Sequence, residues 1–239
     1  MGTRLPIWKR TLDIIGSLIG LVILSPVFLV ISAYIKIVSP GPVFFRQERI
    51  GYLGRPFTMW KFRTMRTNAD THVHEEYLKS LISSDEEMVK LDHNRDDRLI
   101  PLAGLMRKTC IDELPQLINV LLGDMSLVGP RPCLRYEAEE FQLWQNQRFH
   151  TLPGMTGLWQ VSGKNRTTFK QMMRLDIRYS RRGSPSMDLL IFAKTVPAII
   201  GQIADSYRCR RKELSRGAPV GSNPRVSRTL GSFVRQIFL

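Results

Sequence analysis

Cysteine is scarce in this chain: Cys110, Cys133 and Cys209 are the three among 239 residues, an odd number, far apart in sequence. They lack the paired spacing of a zinc site or a disulfide framework, so a stapled secreted domain is excluded and reduced, structural thiols in a domain facing the cytosol are expected. Acidic residues are also short, 21 against 35 Lys and Arg, which leaves a formal charge of +14. Such a surplus implies a partner with dense negative charge, whether nucleic acid, anionic lipid or a phosphorylated substrate. Charge is missing altogether over the 22 residues from Ile14 to Ile35. As a helix that run is about 33 Å long, enough to cross a bilayer. A small-residue cleavage site does not follow it, which argues against a secretory signal peptide.

What is present suits one compact domain with appendages, since 43% of the residues are hydrophobic and can build a core. The last stretch, 205–239, holds eight Lys or Arg and two acids, a net of +6, so the body keeps +8 of its own. With Gly, Ser, Pro and little periodicity, 205–239 is expected to be a basic, disordered tail. The apolar run is flanked by Arg4, Lys9 and Arg10 on one side and by Lys36, Arg46, Arg49, Arg55, Lys61 and Arg63 on the other. Positive flanks prefer the cytoplasmic side, so both ends of the run ask to stay inside. Ser25-Pro26 stands at its midpoint, where proline removes a helical hydrogen bond and a serine hydroxyl can cover the freed carbonyl. The residues leave two readings open: a helix bent there that dips into one leaflet and returns, or a kinked single span.

Residues 43–65 read as two short strands joined by a turn from Gly51 to Pro56, with Lys61 and Arg63 on the same face by alternation. Two cations so placed make either a phosphate clamp or an exposed basic edge. Residues 69–97 are polar and acidic; His72, His74, Asp92, His93, Asp96 and Asp97 lack a second ligand set nearby and read as solvated surface. In 107–132, Leu114, Leu117, Ile118, Leu121 and Leu122 follow an amphipathic helical spacing that closes near Gly123. Asp112 falls at the N-cap and Glu113 beside it, with Pro115 in the first turn, so two carboxylates share a helix N-terminus that favours anions. A cap needs no nearby cations, whereas a pyrophosphate-bearing substrate needs several, and Arg107, Lys108 and Arg131 stand around the pair. The segment 153–166 reads as a glycine-punctuated loop around Trp159 and Gln160. Residues 187–203 are too short and too charged, at Asp188 and Lys194, to span, and read as an interfacial or packed helix.

Taken together, KRTLDI at 9–14, Ser25-Pro26, PVFFRQERIG, KFRTM, RKTCIDELPQLINVLLGDMSLVGPRP, PGMTGLWQVSGK and DLLIFAKTVPAII resemble the bacterial sugar transferase family, the monotopic phosphoglycosyl transferases. The resemblance runs from about Lys9 to Gln202. It implies a mainly α fold with a small β-hairpin, organised as an N-terminal re-entrant membrane helix (1–40) broken at Ser25-Pro26, a cytoplasmic catalytic domain (41–204) and the tail. Interfacial amphipathic helices would lie on the inner leaflet of the bacterial cytoplasmic membrane. The implied reaction moves a sugar 1-phosphate from a UDP-sugar to undecaprenyl phosphate, releasing UMP, as the first membrane step of exopolysaccharide, capsule or O-antigen synthesis. By resemblance Asp112 is the nucleophile and a Mg²⁺ ligand, and Glu113 assists. Lys61, Arg63, Arg107 and Arg131 bind phosphate, with Lys108 a weaker candidate. Some members are dimers, so a homodimer is left open.

Cys110-Ile111 departs from the Ser-Leu frequent in the family, and no multi-span N-terminal region of the larger members precedes the core. The TGLWQVSGK form and the acidic insert lean towards UDP-glucose or UDP-galactose rather than acetamido sugars. Two other readings compete: an inactive membrane tether of a polysaccharide assembly complex, which intact Asp112, Glu113 and Arg131 oppose, and a membrane-anchored nucleic-acid binder. The latter explains the charge but leaves the carboxylate pair unused, so no nucleic acid is expected as partner.

Overall fold

The computed structural model describes residues 5–66, 98–163 and 167–215, with side chains described as far as Asp205. The acidic stretch 69–97, with its histidine and aspartate candidates, and residues 216–239 lie outside the described residues.

Helix α1, Ile7–Val38, takes up the apolar run and continues through Ser25-Pro26 instead of breaking there. Proline strips Val22 O of its helical donor, and the Ser25 hydroxyl donates to that same carbonyl at 2.8 Å, so the orphan is covered and the helix goes on. At ~48 Å the helix is longer than a bilayer core is thick. Its outer face bears exposed Val22, Ile23, Leu29 and Val30, while Lys9, Asp13, Ser17 and Ile35 are buried.

The buried stripe is polar at the N-terminal end because it meets other polar groups there. Lys9 Nζ donates to Asp188 at 2.6 Å and to Val128 O at 2.9 Å. The Tyr179 hydroxyl donates to the other Asp188 oxygen at 2.6 Å and lies 3.0 Å from Val128 O. Burial, reinforced by the Asp188 charge, pushes the Tyr179 phenol above its ordinary value, so it stays protonated as a donor. Asp13 accepts from the Ser126 hydroxyl at 2.9 Å and the Leu127 amide at 2.8 Å. Arg10 donates to Val120 O at 2.6 Å and Leu121 O at 2.7 Å, a cation on the carbonyl end of a helix.

Strands β1, Phe44–Ile50, and β2, Pro56–Phe62, pair antiparallel with Phe45 opposite Lys61, Arg46 opposite Trp60 and Ile50 opposite Pro56. The aromatic-rich hairpin foreseen from the sequence is therefore present. Phe62 joins Ile35, Ile100, Ala103 and Met106 in a core that binds the C-terminal half of α1 to the hairpin and to α2, Ala103–Lys108. After α2 the chain turns through Cys110, left-handed at φ 57°, into a 3-10 turn, Ile111–Glu113, and then α3, Gln116–Leu122. The single helix capped by Asp112 is thus divided, because Pro115 lacks an amide for a continuous ladder and stands where α3 starts. Gly123, at φ 95°, closes α3 as expected.

Strand β3, Ser126–Val128, leads through the GPRP segment to α4, Arg135–Glu139, and a 3-10 turn, Gln145–His150. Strand β4, Gly154–Thr156, then pairs parallel with β3, and α5, Leu158–Val161, follows. Within the segment expected to be a glycine-punctuated loop, residues 154–156 are accordingly strand and 158–161 helix. A Cβ on Gly129 or Gly154 would fall onto the other's backbone, so these glycines serve strand-to-strand approach and not a ligand. Helix α6, Phe169–Arg182, capped by Thr168, and α7, Pro185–Ser215, complete the body. Helix α7 is longer than the 187–203 reading and passes Asp205, and its Pro185–Asp205 part is apolar enough to span by composition. Asp188 nonetheless ties its first turn to Lys9, Ile191 packs on Val128 and Tyr179, and Leu189, Leu190, Phe192, Val196 and Ile200 face outward.

Lys9→Ala strands the buried Asp188 carboxylate, which should cost about 3–5 kcal/mol and lower the thermal midpoint of the detergent-solubilised protein well beyond that of the exposed control Lys194→Ala. Gly154→Ala should disrupt the β3–β4 pair and yield little folded protein, measured by monodisperse yield.

Candidate active site

The hairpin and the α2–α3 corner meet at the carboxylate pair. The Ile111–Glu113 turn is one residue past left-handed Cys110, and a non-glycine residue there costs on the order of 1 kcal/mol. The fold holds that conformation by packing α2 and α3 on either side. Asp112 is buried, 7% exposed, and Glu113 is half-buried. Lys61 Nζ meets Glu113 Oε1 at 2.7 Å, so the structure joins three of the expected site residues: the two carboxylates by sequence and the lysine by a partly screened ion pair.

Register between strand and helix is fixed by Asn119 of α3, fully buried at 0% exposure. Its carboxamide accepts from the Trp60 amide at 3.0 Å and donates to Thr58 O at 2.7 Å. It thus pairs with the free edge of β2 as a neighbouring strand would. Sequence reasoning passed over Asn119; the available signal was a lone amide within the apolar run LINVLL. The Lys9, Asp13, Asp188 and Tyr179 set was missed as well, because flanking charge beside an apolar run reads first as a topology signal.

Of the other expected cations, Arg107 and Lys108 occupy the last turn of α2, half-buried, just ahead of the carboxylates. Arg63 is buried, and its two terminal nitrogens donate to Ser39 O at 2.7 Å and Pro40 O at 2.6 Å. It therefore seals the turn after α1, while its Nε, also buried, makes no hydrogen bond among the described residues. Arg131 sits at the far end of the hairpin. The Ile50–Cys133 bridge holds its segment to the turn, five residues and ~16 Å along the strand from the level of Lys61. Arg131 faces Glu137 at 3.8 Å, and its carbonyl accepts from Arg148 at 2.5 Å. Arg148 and Asp176 form a buried pair at 2.7 Å. Burial pushes the Asp176 carboxyl up to about 6 against the pull of Arg148, and pushes the Cys133 thiol up to about 11, which makes Cys133 an inert packing group.

Among the described residues no group of three or more His, Cys, Asp or Glu could hold a metal ion. Magnesium asks less of a protein, one or two carboxylates with substrate phosphates completing the shell, and Asp112 beside Glu113 offers that donor set.

The bacterial sugar transferase profile matches residues 4–202. The exopolysaccharide production protein ExoY of Sinorhizobium fredii is 38% identical over 192 residues, 80% of this chain and 84% of that protein. The undecaprenyl-phosphate galactose phosphotransferase of Salmonella typhimurium is 38% identical over 200 residues, 80% of this chain but 40% of that protein. The UDP-glucose:undecaprenyl-phosphate glucose-1-phosphate transferase of Xanthomonas campestris pv. campestris is 37% identical over 202 residues, covering 81% and 39% respectively. This chain thus spans most of the ExoY protein and less than half of the two longer transferases. A match over so much of the chain, carrying the carboxylate pair on a built turn, makes this chain a member of the bacterial sugar transferase family, a family of enzymes.

Proposed function

We propose that the protein transfers a hexose 1-phosphate from a UDP-sugar to undecaprenyl phosphate and releases UMP, opening the synthesis of an exopolysaccharide, capsule or O-antigen. The observation that carries this reading is the buried Asp112 on a turn of its own, beside a Glu113 held by Lys61. The names of the Salmonella and Xanthomonas relatives supply the acceptor and suggest galactose or glucose as the sugar.

In this reading an Asp112 carboxylate oxygen attacks the β-phosphorus of the UDP-sugar, and the bond from that phosphorus to the bridging oxygen breaks. UMP leaves with the bonding electrons, and the sugar phosphate remains on Asp112 as an acyl phosphate. A phosphate oxygen of undecaprenyl phosphate then attacks the same phosphorus, freeing the carboxylate and forming the lipid diphosphate sugar. One difficult displacement becomes two easier ones. Lys61 would orient Glu113 beside the nucleophile, and Arg107 and Lys108, in the last turn of α2 just ahead of the carboxylates, would take up phosphate charge. Mg²⁺, held by Asp112 with Glu113 in support, would neutralise diphosphate charge when bound. Arg131 is assigned to holding the segment after β3 through Glu137, away from the carboxylates.

The same body is proposed to rest on the cytoplasmic face of the inner membrane without crossing it. Near its N-terminus α1 is held through Lys9, Arg10 and Asp13; near its C-terminus Tyr34 donates to Pro101 O at 2.8 Å and Ile35 enters the core. Both ends of the helix thereby belong to one folded unit, which favours a helix held at one leaflet over one that carries its two ends to opposite sides. Exposed apolar side chains on α1 and α7, joined by Leu102, Leu105 and Leu122, supply the surface that would meet lipid.

Solubilised enzyme with Mg²⁺ and undecaprenyl phosphate should release UMP from UDP-galactose or UDP-glucose, and Asp112→Ala should lower that rate on the order of 10³-fold or more. Absence of UMP across a wider panel of UDP-sugars, from folded protein, would leave the inactive tether as the better account. In a background without native cysteines, single cysteines at Pro6 and Pro40 should both react with an impermeant maleimide only from the cytoplasmic side. Labelling of either from the periplasm would establish a span.

A further inference from the structure

Helix α6 holds a large share of the positive charge, and the proposed chemistry uses none of it. Its five cations stand against one acid, Asp176, so the helix has a net +4, half of the +8 that falls outside 205–239. Asp176 is buried against Arg148 and does not reach the outer face. Helical spacing sorts the rest: Phe169, Met172, Met173, Ile177 and Tyr179 are buried in the body, and the exposed positions are Lys170, Gln171, Arg174, Arg178, Arg181 and Arg182. At 3.6 residues per turn those six fall within about 120° of the helix, a single cationic stripe roughly 18 Å long.

Lys170, Arg174, Arg178 and Arg182 follow one another at i, i+4, a spacing at which like charges repel and weaken a helix. Among the described residues no carboxylate pairs with Arg174, Arg178 or Arg182 to offset that repulsion, and Arg181 donates to the uncharged Gln147 side chain. An external anionic surface would relieve it. The stripe has no exposed apolar side chain, whereas a protein partner is gripped through aromatic or aliphatic anchors at a charge-poor centre. Cations alone suit a surface read by charge, and arginine meets two phosphate oxygens at once.

Position points the same way. Tyr179, a surface neighbour of Arg182 at i, i+3, donates to Asp188 at 2.6 Å, and Lys9 meets the other oxygen of that carboxylate at 2.6 Å. Exposed Ile7 and Leu12 flank Lys9 in α1, and exposed Leu189 and Phe192 follow Asp188 in α7. The last turn of α6 therefore borders the apolar side chains that would enter lipid, at the level where headgroups begin.

We propose that the exposed face of α6 binds the anionic phospholipid headgroups of the leaflet beneath the body. This depends on the reading that the body rests on one leaflet and adds to it a contact with a lipid requirement of its own: apolar faces on α1 and α7 accept any bilayer, and the α6 stripe selects a negatively charged one.

The test places the full chain, without native cysteines and with Arg174→Cys in the middle of the stripe, in nanodiscs of phosphatidylcholine alone or mixed with phosphatidylglycerol. An uncharged maleimide reports access to position 174. Labelling should slow about fivefold in the anionic discs, recover on raising the salt to about 1 M, and lose its lipid dependence when Arg178→Glu and Arg182→Glu are added. Equal rates in the two discs would overturn the proposal and leave the stripe to a soluble polyanion. Slowing that survives both reversals would also overturn it, since it would belong to the disc and not to α6. A second measurement keeps the native cysteines: lipids retained by the purified chain after extraction from mixed discs should be enriched in phosphatidylglycerol for wild type and less so for Arg178→Glu/Arg182→Glu, which should match it in thermal midpoint. Equal enrichment would count against α6. Neither readout involves sugar transfer, so a protein that releases no UMP is still decided by them. Should the Pro6 or Pro40 substitution label from the periplasm, the one-leaflet reading fails, and the lipid dependence at position 174 still decides this one.

Discussion

The contact on which the rest depends is the buried pair of Lys9 with Asp188, closed by Tyr179 and the Val128 carbonyl. It joins the first turns of α1, the end of β3, the body of α6 and the first turn of α7, and the last three also share the apolar cluster of Val128, Tyr179 and Ile191. Placing an ion pair in a dry setting costs desolvation that its attraction barely offsets. Its value is therefore directional. A stripe of leucines would let α1 slide or rotate against the body, whereas an ammonium with two fixed acceptors admits one register.

From that register the site follows. With Lys9 placed, Arg10 falls on the last carbonyls of α3, and Asp13 on the amide and hydroxyl of β3. Helix α3 is thus held at its C-terminal end by α1 and along its length by Asn119 on the edge of β2. Its N-terminal end carries the 3-10 turn with Asp112 and Glu113, pressed between α2 and the strand that bears Lys61. The helix with the apolar outer face and the turn with the carboxylate pair are thus packed into one unit through α3.

Much of this was legible from the sequence where local patterns had local causes. The hairpin showed in its aromatic alternation, the C-terminus of α3 in Gly123, and the carboxylate pair in its place before an apolar helix. The serine that covers the carbonyl freed by Pro26 was foreseen too, although its effect is to carry α1 through the proline instead of ending it. What stayed hidden depended on partners distant in sequence. Lys9 and Asp188 are 179 positions apart, and nothing in either segment names the other. The glycines of 153–166 misled for a related reason, since a glycine that lets a ligand approach and one that lets another strand approach look alike until the strand is seen.

The same distinction governs the basic residues. A motif rich in Arg and Lys invites the inference that each cation meets phosphate, yet donors already spent on the protein are not open to a substrate. Arg63 gives its fork to Ser39 and Pro40, Arg10 to α3, and Arg148 to Asp176 and the Arg131 carbonyl. Lys61 gives its charge to Glu113. Arg46 differs in kind: an aromatic face orients it and no carboxylate among the described residues answers it. A stacked guanidinium keeps its hydrogen-bonding edge while losing part of its conformational freedom. In a basic chain, the partners a cation already holds say more about its role than net charge does.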